Sequence, residues 1–195
     1  MKTEMLDIIK NAIASEYQLP DSSFLVEENT DDNHKPFKME IEVKTRRLKF
    51  LICRFDTQTE LFNCFKKGNY RKNCDNIVFV ESPSKLYVFL VELKNTTNGP
   101  EKQLKISKPF AVFLISRIKA VVESKNDDES KAIDKSFDKE VVYRMIGIKE
   151  RAAFDKKTLK NYENAYKFNE DDYLLLPRKN CKMLDLDFII NENNL

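Results

Sequence analysis

The sequence predicts a layered α/β domain, a central β-sheet with helices packed over it. Two apolar runs, Asn76 to Val80 and Leu86 to Val91, flank Ser82-Pro83-Ser84-Lys85, which has the composition of a four-residue turn. In the resulting hairpin Ile77, Phe79, Leu86, Val88 and Leu90 share one face, while Val78, Val80, Tyr87, Phe89 and Val91 share the other. Strands apolar on both faces lie in the middle of a sheet covered on both sides. Helical stripes before and after the hairpin supply the covering layers. At 195 residues, 42% apolar and 34% charged, the chain suffices for one well-buried domain and is short for two. Residues 1–195 therefore read as a single domain.

The elements follow in chain order. Residues 3–16 carry Met5, Leu6, Ile8, Ile9, Ala12 and Ile13 on a helical stripe, with Thr3 as N-cap. Asp21 to Pro36 is polar and reads as a loop. Phe37 to Val43 and Leu48 to Phe55 read as strands around the basic turn Lys44-Thr45-Arg46-Arg47. Asp56 or Thr57 would cap a short helix carrying Glu60, Leu61 and Cys64. A basic turn, Lys66 to Lys72, feeds the hairpin. After it, Gly99-Pro100 opens a helix that Pro109 ends or kinks, and Phe110 to Glu123 continues as a helix on the sheet. Ser124 to Ser136 reads as a charged loop, and Glu140 to Ile148 as a strand. A helix is placed around Leu159 to Tyr166. Tyr173 to Leu176 and Met183 to Ile190 are expected as late strands.

Composition excludes several chemistries. No apolar run approaches the ~20 residues of a membrane helix, and the amphipathic start does not resemble a secretory signal. Cys53, Cys64, Cys74 and Cys181 lack zinc-site spacing and read as thiols of a reducing cytoplasm. His34 is the only histidine, which removes a Ser/Cys–His triad. Three glycines in all leave no phosphate-binding Gly-rich loop. With a net charge of +2, any affinity for nucleic acid must come from local basic patches.

The chemistry gathers at one end of the hairpin. A symmetric turn sets Asp75 directly opposite Glu92, and directly opposed side chains project to one face with Cβ atoms roughly 5 Å apart. Lys94, two residues past Glu92, joins that face. Two carboxylates this close are costly unless a cation lies between them, so the trio outlines a divalent-metal site. Glu-x-Lys occurs four times in the chain. Glu123-Ser124-Lys125 and Glu129-Ser130-Lys131 fall at a helix end and in a loop, and Glu42-Val43-Lys44 has no acidic cross-strand partner. Only Glu92-Leu93-Lys94 combines an acidic partner with an apolar sheet.

This stretch, Cys74-Asp75-Asn76-Ile77-Val78-Phe79-Val80, a turn, then Leu86 to Lys94, resembles the PD-(D/E)xK nuclease superfamily. Cys74 stands where the superfamily often has Pro, and the resembling region lies within residues 57–124. The resemblance implies a restriction-endonuclease-like fold, a central mixed β-sheet flanked by helices. It also implies Mg²⁺, with Mn²⁺ as substitute, held by Asp75, Glu92 and the Leu93 carbonyl. Lys94 would assist at the scissile phosphate, and Gln103 is similar to a glutamine that follows the motif in recombination-type members. Glu60 is the candidate for a further acidic residue, with Glu16 and Glu4 competing for that role. Lys66, Lys67, Arg71 and Lys72, which lead into Asp75, and Lys102, Lys105 and Lys108 around the next helix would grip a phosphate backbone without reading sequence. The expected activity is hydrolysis of phosphodiesters, in DNA ahead of RNA and as an endonuclease ahead of an exonuclease, in defence or repair. The alternative is an inactive protein of the same fold that binds nucleic acid or a protein. A homodimer or a protein partner is open.

Overall fold

The computed structural model describes residues 4–19, 24–29, 37–55, 73–94, 99–124, 139–149, 167–177 and 182–192, and among these described residues it has two mixed sheets and three α-helices. In chain order the elements are α1 (Met5–Ala12), a 3-10 turn (Ser15–Tyr17), β1 (Phe24–Asn29), β2 (Phe37–Lys44), β3 (Lys49–Cys53), β4 (Asn76–Glu81) and β5 (Lys85–Lys94). Then come α2 (Glu101–Glu123), β6 (Glu140–Lys149), β7 (Tyr173–Pro177), β8 (Met183–Asp185) and α3 (Leu186–Glu192). The main sheet has the order β3-β4-β5-β6-β7 and the smaller one β1-β2-β8. Antiparallel pairing joins β3, β4 and β5, whereas β6 and β7 run parallel to β5. A parallel neighbour needs a crossover, and α2 lies on that connection.

The hairpin β4–β5 sits in the interior of the main sheet, every residue of β4 is buried, and its two apolar faces enter different cores. Ile77, Phe79, Leu86, Val88 and Leu90 meet α1 and α2. Val78, Val80, Tyr87, Phe89 and Val91 meet the small sheet and α3. One face is therefore covered by helices and the other mainly by a second sheet. No described helix is long and apolar enough to cross a membrane.

Three expectations are corrected and a fourth is narrowed. The loop over Asp21 to Pro36 contains β1, which pairs antiparallel with β2. The strands on either side of the basic turn do not pair with each other: β2 joins β1 and β8, and β3 joins β4. The strand expected over Met183 to Ile190 stops at Asp185, whose carboxylate accepts the Phe188 N–H at 3.0 Å and so caps α3. Pro109 lies inside α2 without ending it. Both Pro109 and Lys105, whose carbonyl loses its helical donor there, are exposed, so water can take the freed acceptor.

The N-terminus of α1 is capped from a distance. Glu4 occupies the N-cap position without a side-chain cap bond; Thr3 lies outside the described residues. Glu81, at the end of β4, accepts the Met5 N–H at 3.0 Å through Oε1 and the Leu6 N–H at 2.8 Å through Oε2. Lys139 Nζ donates to Glu81 Oε1 at 2.5 Å and to the Ser82 carbonyl at 2.7 Å. This buried carboxylate ties α1, β4 and the segment leading into β6 together.

Candidate functional site

Asn76 pairs with Val91 in the hairpin register, and one step further Asp75 meets Glu92. Each carboxylate accepts a backbone N–H from the opposite strand. The Asp75 N–H donates to Glu92 Oε2 at 3.2 Å, and the Leu93 N–H donates to Asp75 Oδ2 at 2.6 Å. Glu92 Oε1 is in direct contact with Lys94 Nζ. Strand alternation puts Asp75, Glu92 and Lys94 on the helix-covered face, whereas Leu93 packs into the opposite core. Asp75 is 5% exposed, Glu92 0%, and the Lys94 side chain 22%. The carboxylates therefore lie below the surface, and Lys94 is the most exposed of the trio.

The first turns of α2 hold the chain ahead of Asp75. The Cys74 N–H would close the ladder on Leu93, but it donates instead to Ser107 Oγ at 2.7 Å and to Asn73 Oδ1 at 3.1 Å. Ser107 Oγ donates to the Gln103 carbonyl at 2.8 Å, and Gln103 Nε2 donates to the Asn73 carbonyl at 2.6 Å. Gln103 therefore reaches the segment before Asp75 and fixes its backbone. Cys74 is fully buried, and burial, then the charges of Glu92 and Asp75, push its thiol well above the usual range. As a thiol it donates to the Asn76 carbonyl at 3.4 Å.

Across β5, Glu92 pairs with Gly147 of β6. A Cβ at Gly147 would stand 2.4 Å from Pro100 Cγ and 2.7 Å from the Tyr173 hydroxyl. Only a glycine lets Pro100 begin α2 this close to the sheet, beside Glu92. Burial, then the Glu101 carboxylate, hold the Tyr173 phenol well above its ordinary value, so it stays protonated. Gly147→Ala is expected to destabilise the fold by about 1–3 kcal/mol through overpacking. Tyr173→Phe in that background should restore part of the loss. Thermal unfolding measures both, and a Gly147→Ala protein as stable as the parent would refute the close-approach argument.

The remaining sequence candidates separate by position. Glu4 forms an ion pair with Lys49 at 2.7 Å, and Lys49 pairs with Glu81. That is the far end of β4, about 20 Å from Asp75 at the usual strand rise, so Glu4 does not complete the site. Glu16 lies at the near end: the Arg54 N–H, just past β3, donates to the Tyr17 carbonyl at 2.8 Å, and Tyr17 stacks on Phe55. Glu60, Lys66, Lys67, Arg71 and Lys72 lie outside the described residues. Lys102 is exposed on α2. Lys105 faces Glu101 at 2.8 Å and Asp171 at 3.2 Å, and Lys108 faces Asp172 at 3.3 Å. The charges of Lys105 and Lys108 are matched locally by carboxylates.

Asn73, Ser107 and Gly147 were not singled out from sequence. Ser107 follows Gln103 by one helical turn, which puts both on one side of α2. Gly147 interrupts a β-branched strand, a known sign of close backbone approach.

Compared with protein-family models, curated proteins and solved structures, the chain matches none.

The donors available to the cation that the resemblance implies are Asp75, Glu92 and the Leu93 carbonyl. No group of three or more His, Cys, Asp or Glu able to hold a metal occurs among the described residues. Two carboxylates do converge, and the Leu93 N–H reaches Asp75, so in extended backbone the Leu93 carbonyl points to that same edge. All three are hard oxygen donors. Mg²⁺ and Mn²⁺ accept such a small set and fill the rest of the shell with water, whereas a structural zinc site would need more nitrogen or sulfur. The residues fit a hydrated hard cation.

Proposed function

We propose that this protein is a Mg²⁺-dependent nuclease with a restriction-endonuclease-like fold, acting on DNA ahead of RNA. The observation that carries the reading is the clamp around Asp75 and Glu92, two buried carboxylates of which Glu92 accepts the Asp75 N–H and Asp75 accepts the Leu93 N–H, with Lys94 beside them. Burial penalises both charges, and each penalises the other. Lys94 offsets part of that cost, and a divalent cation would offset more. A mixed sheet, with helices over the face that carries the trio, supports the same reading.

The roles of the chain's own groups follow from their positions. Asp75, Glu92 and the Leu93 carbonyl would hold Mg²⁺ or Mn²⁺. When bound, that ion polarises the scissile phosphate and acidifies a water. Glu92 holds the Lys94 ammonium at the only partly exposed position of the trio, where it offsets charge developing on the phosphate oxygens. Gln103 and Ser107 keep the Asp75 bend in place, so the carboxylate geometry exists before substrate arrives.

One observation favours the alternative of an inactive fold member that binds nucleic acid or a protein: Glu92 is fully buried and already engaged by Lys94 and the Asp75 N–H. Purified protein incubated with plasmid, linear and single-stranded DNA, with Mg²⁺ and with EDTA, separates the two. Metal-dependent opening of closed plasmid is the expected result. Equal cutting in excess EDTA would refute the metal role, and binding without cutting by the wild-type protein would establish the alternative.

A further inference from the structure

The face of α2 turned away from the sheet is apolar along its centre. Leu104, Ser107, Ala111, Ile115, Ile118 and Val122 are the buried side of the helix. At 3.6 residues per turn the opposite line runs through Lys102, Ile106, Pro109, Phe113, Arg117 and Ala120, and all six are exposed. Phe113, at 64%, is the most exposed large apolar side chain among the described residues. Scattered apolar side chains on a surface need no explanation, whereas a contiguous line of them marks a contact surface.

The charges along the line select what covers it. Lys102 stands at its start and Glu123 beside its end. If Phe113 meets Phe113 of an antiparallel second copy, Ile106 lies against the partner's Ala120 and Lys102 beside the partner's Glu123. Every such contact occurs twice, as a two-fold interface between identical surfaces requires. The same arrangement sets Arg117 at the level of the partner's Pro109, where the helix leaves the Lys105 carbonyl without a donor. A guanidinium, with five N–H donors on a long stem, suits that acceptor. A parallel copy would instead stack Lys102 on Lys102 and Arg117 on Arg117, like charge on like.

We propose that the protein forms a two-fold dimer through the exposed face of α2, packed antiparallel about Phe113. The line from Ile106 to Ala120 is about 21 Å long at the helical rise. Contact through one helix per protomer is at the small end of specific interfaces, so the dissociation constant is expected on the order of micromolar. Gln103 and Ser107, which hold the Asp75 bend, lie off this line. The dimer therefore stands independently of the nuclease reading.

The test is sedimentation equilibrium of wild type and Phe113→Asp, with thermal unfolding as the check on folding. Wild type should dimerise. Phe113→Asp should raise the dissociation constant by about tenfold or more while remaining folded, because Phe113 contributes little to the core. Oxidative cross-linking then reads the geometry, against wild-type protein as background. Phe113→Cys should link to itself much faster than Ile106→Cys or Ala120→Cys alone, and a mixture of the last two should link to each other. Wild-type protein that stays monomeric up to roughly 100 μM overturns the proposal, as does a dimer that Phe113→Asp leaves intact. Ile106→Cys that links to itself as fast as Phe113→Cys does would mean parallel helices and overturn the antiparallel packing.

Discussion

Asp75→Asn is expected to reduce Mg²⁺-dependent cleavage by roughly a thousandfold or more while leaving the protein at least as thermally stable as wild type. Metal-assisted stabilisation of a phosphoryl transition state is worth several kcal/mol, and each 1.4 kcal/mol is a factor of about ten in rate. The substitution removes a ligand charge but keeps an oxygen at the position that accepts the Leu93 N–H. It also relieves repulsion between two buried carboxylates. Glu92→Gln should likewise be inactive, but it releases Lys94 from its partner and so changes the site more broadly. Rates and unfolding temperatures measured on the same preparations decide the matter. Substantial residual cleavage by Asp75→Asn would remove Asp75 from the chemistry, and a large loss of stability would make the clamp a structural device.

At the other end of β4, Glu81→Ala should cost about 3–4 kcal/mol of folding stability. Three donors depend on this carboxylate: the Met5 and Leu6 N–H groups and Lys139. Removing an N-cap acceptor costs about 1 kcal/mol, and stranding the partner of a buried ion pair costs more. The Lys139 side chain is 17% exposed, so water recovers part of that penalty. Lys139→Met should be milder, because Glu81 keeps both helix donors. Urea denaturation of the two variants gives the comparison. A Glu81→Ala loss below about 1 kcal/mol would mean that α1 does not need this cap.

The central hairpin was legible in the sequence because everything that defines it is local. The turn sets the register, the alternation sets two apolar faces, and the same register carries Asp75 to Glu92. Elements that depend on distant partners were not legible. Phe24, Leu25 and Val26 are followed by Glu27, Glu28 and Asn29, a pattern too short to separate from loop until β2 pairs with it. Leu184, Leu186, Ile189 and Ile190 suit a strand or a helix about equally, and the Asp185 cap decides for the helix. Glu81 resembles any strand-end carboxylate in sequence, although its partner Met5 lies 76 residues away. The site was legible to the same extent: its carboxylates and Lys94 follow from hairpin spacing. Ser107 and Gly147 become neighbours of the site only once α2 and β6 return to the hairpin.

The buried thiol beside Asp75 turns the site into its own clock. Cys74 is sealed beneath α2, with its N–H held by Ser107, so an alkylating reagent reaches it only in molecules where α2 has lifted from the bend. Under conditions where reclosing outpaces alkylation, its labelling rate relative to that of a free thiol gives the fraction of molecules open at that place. That fraction can be followed residue by residue through mass, without a substrate. It separates variants that disable chemistry inside a closed site from those that let the site fall open.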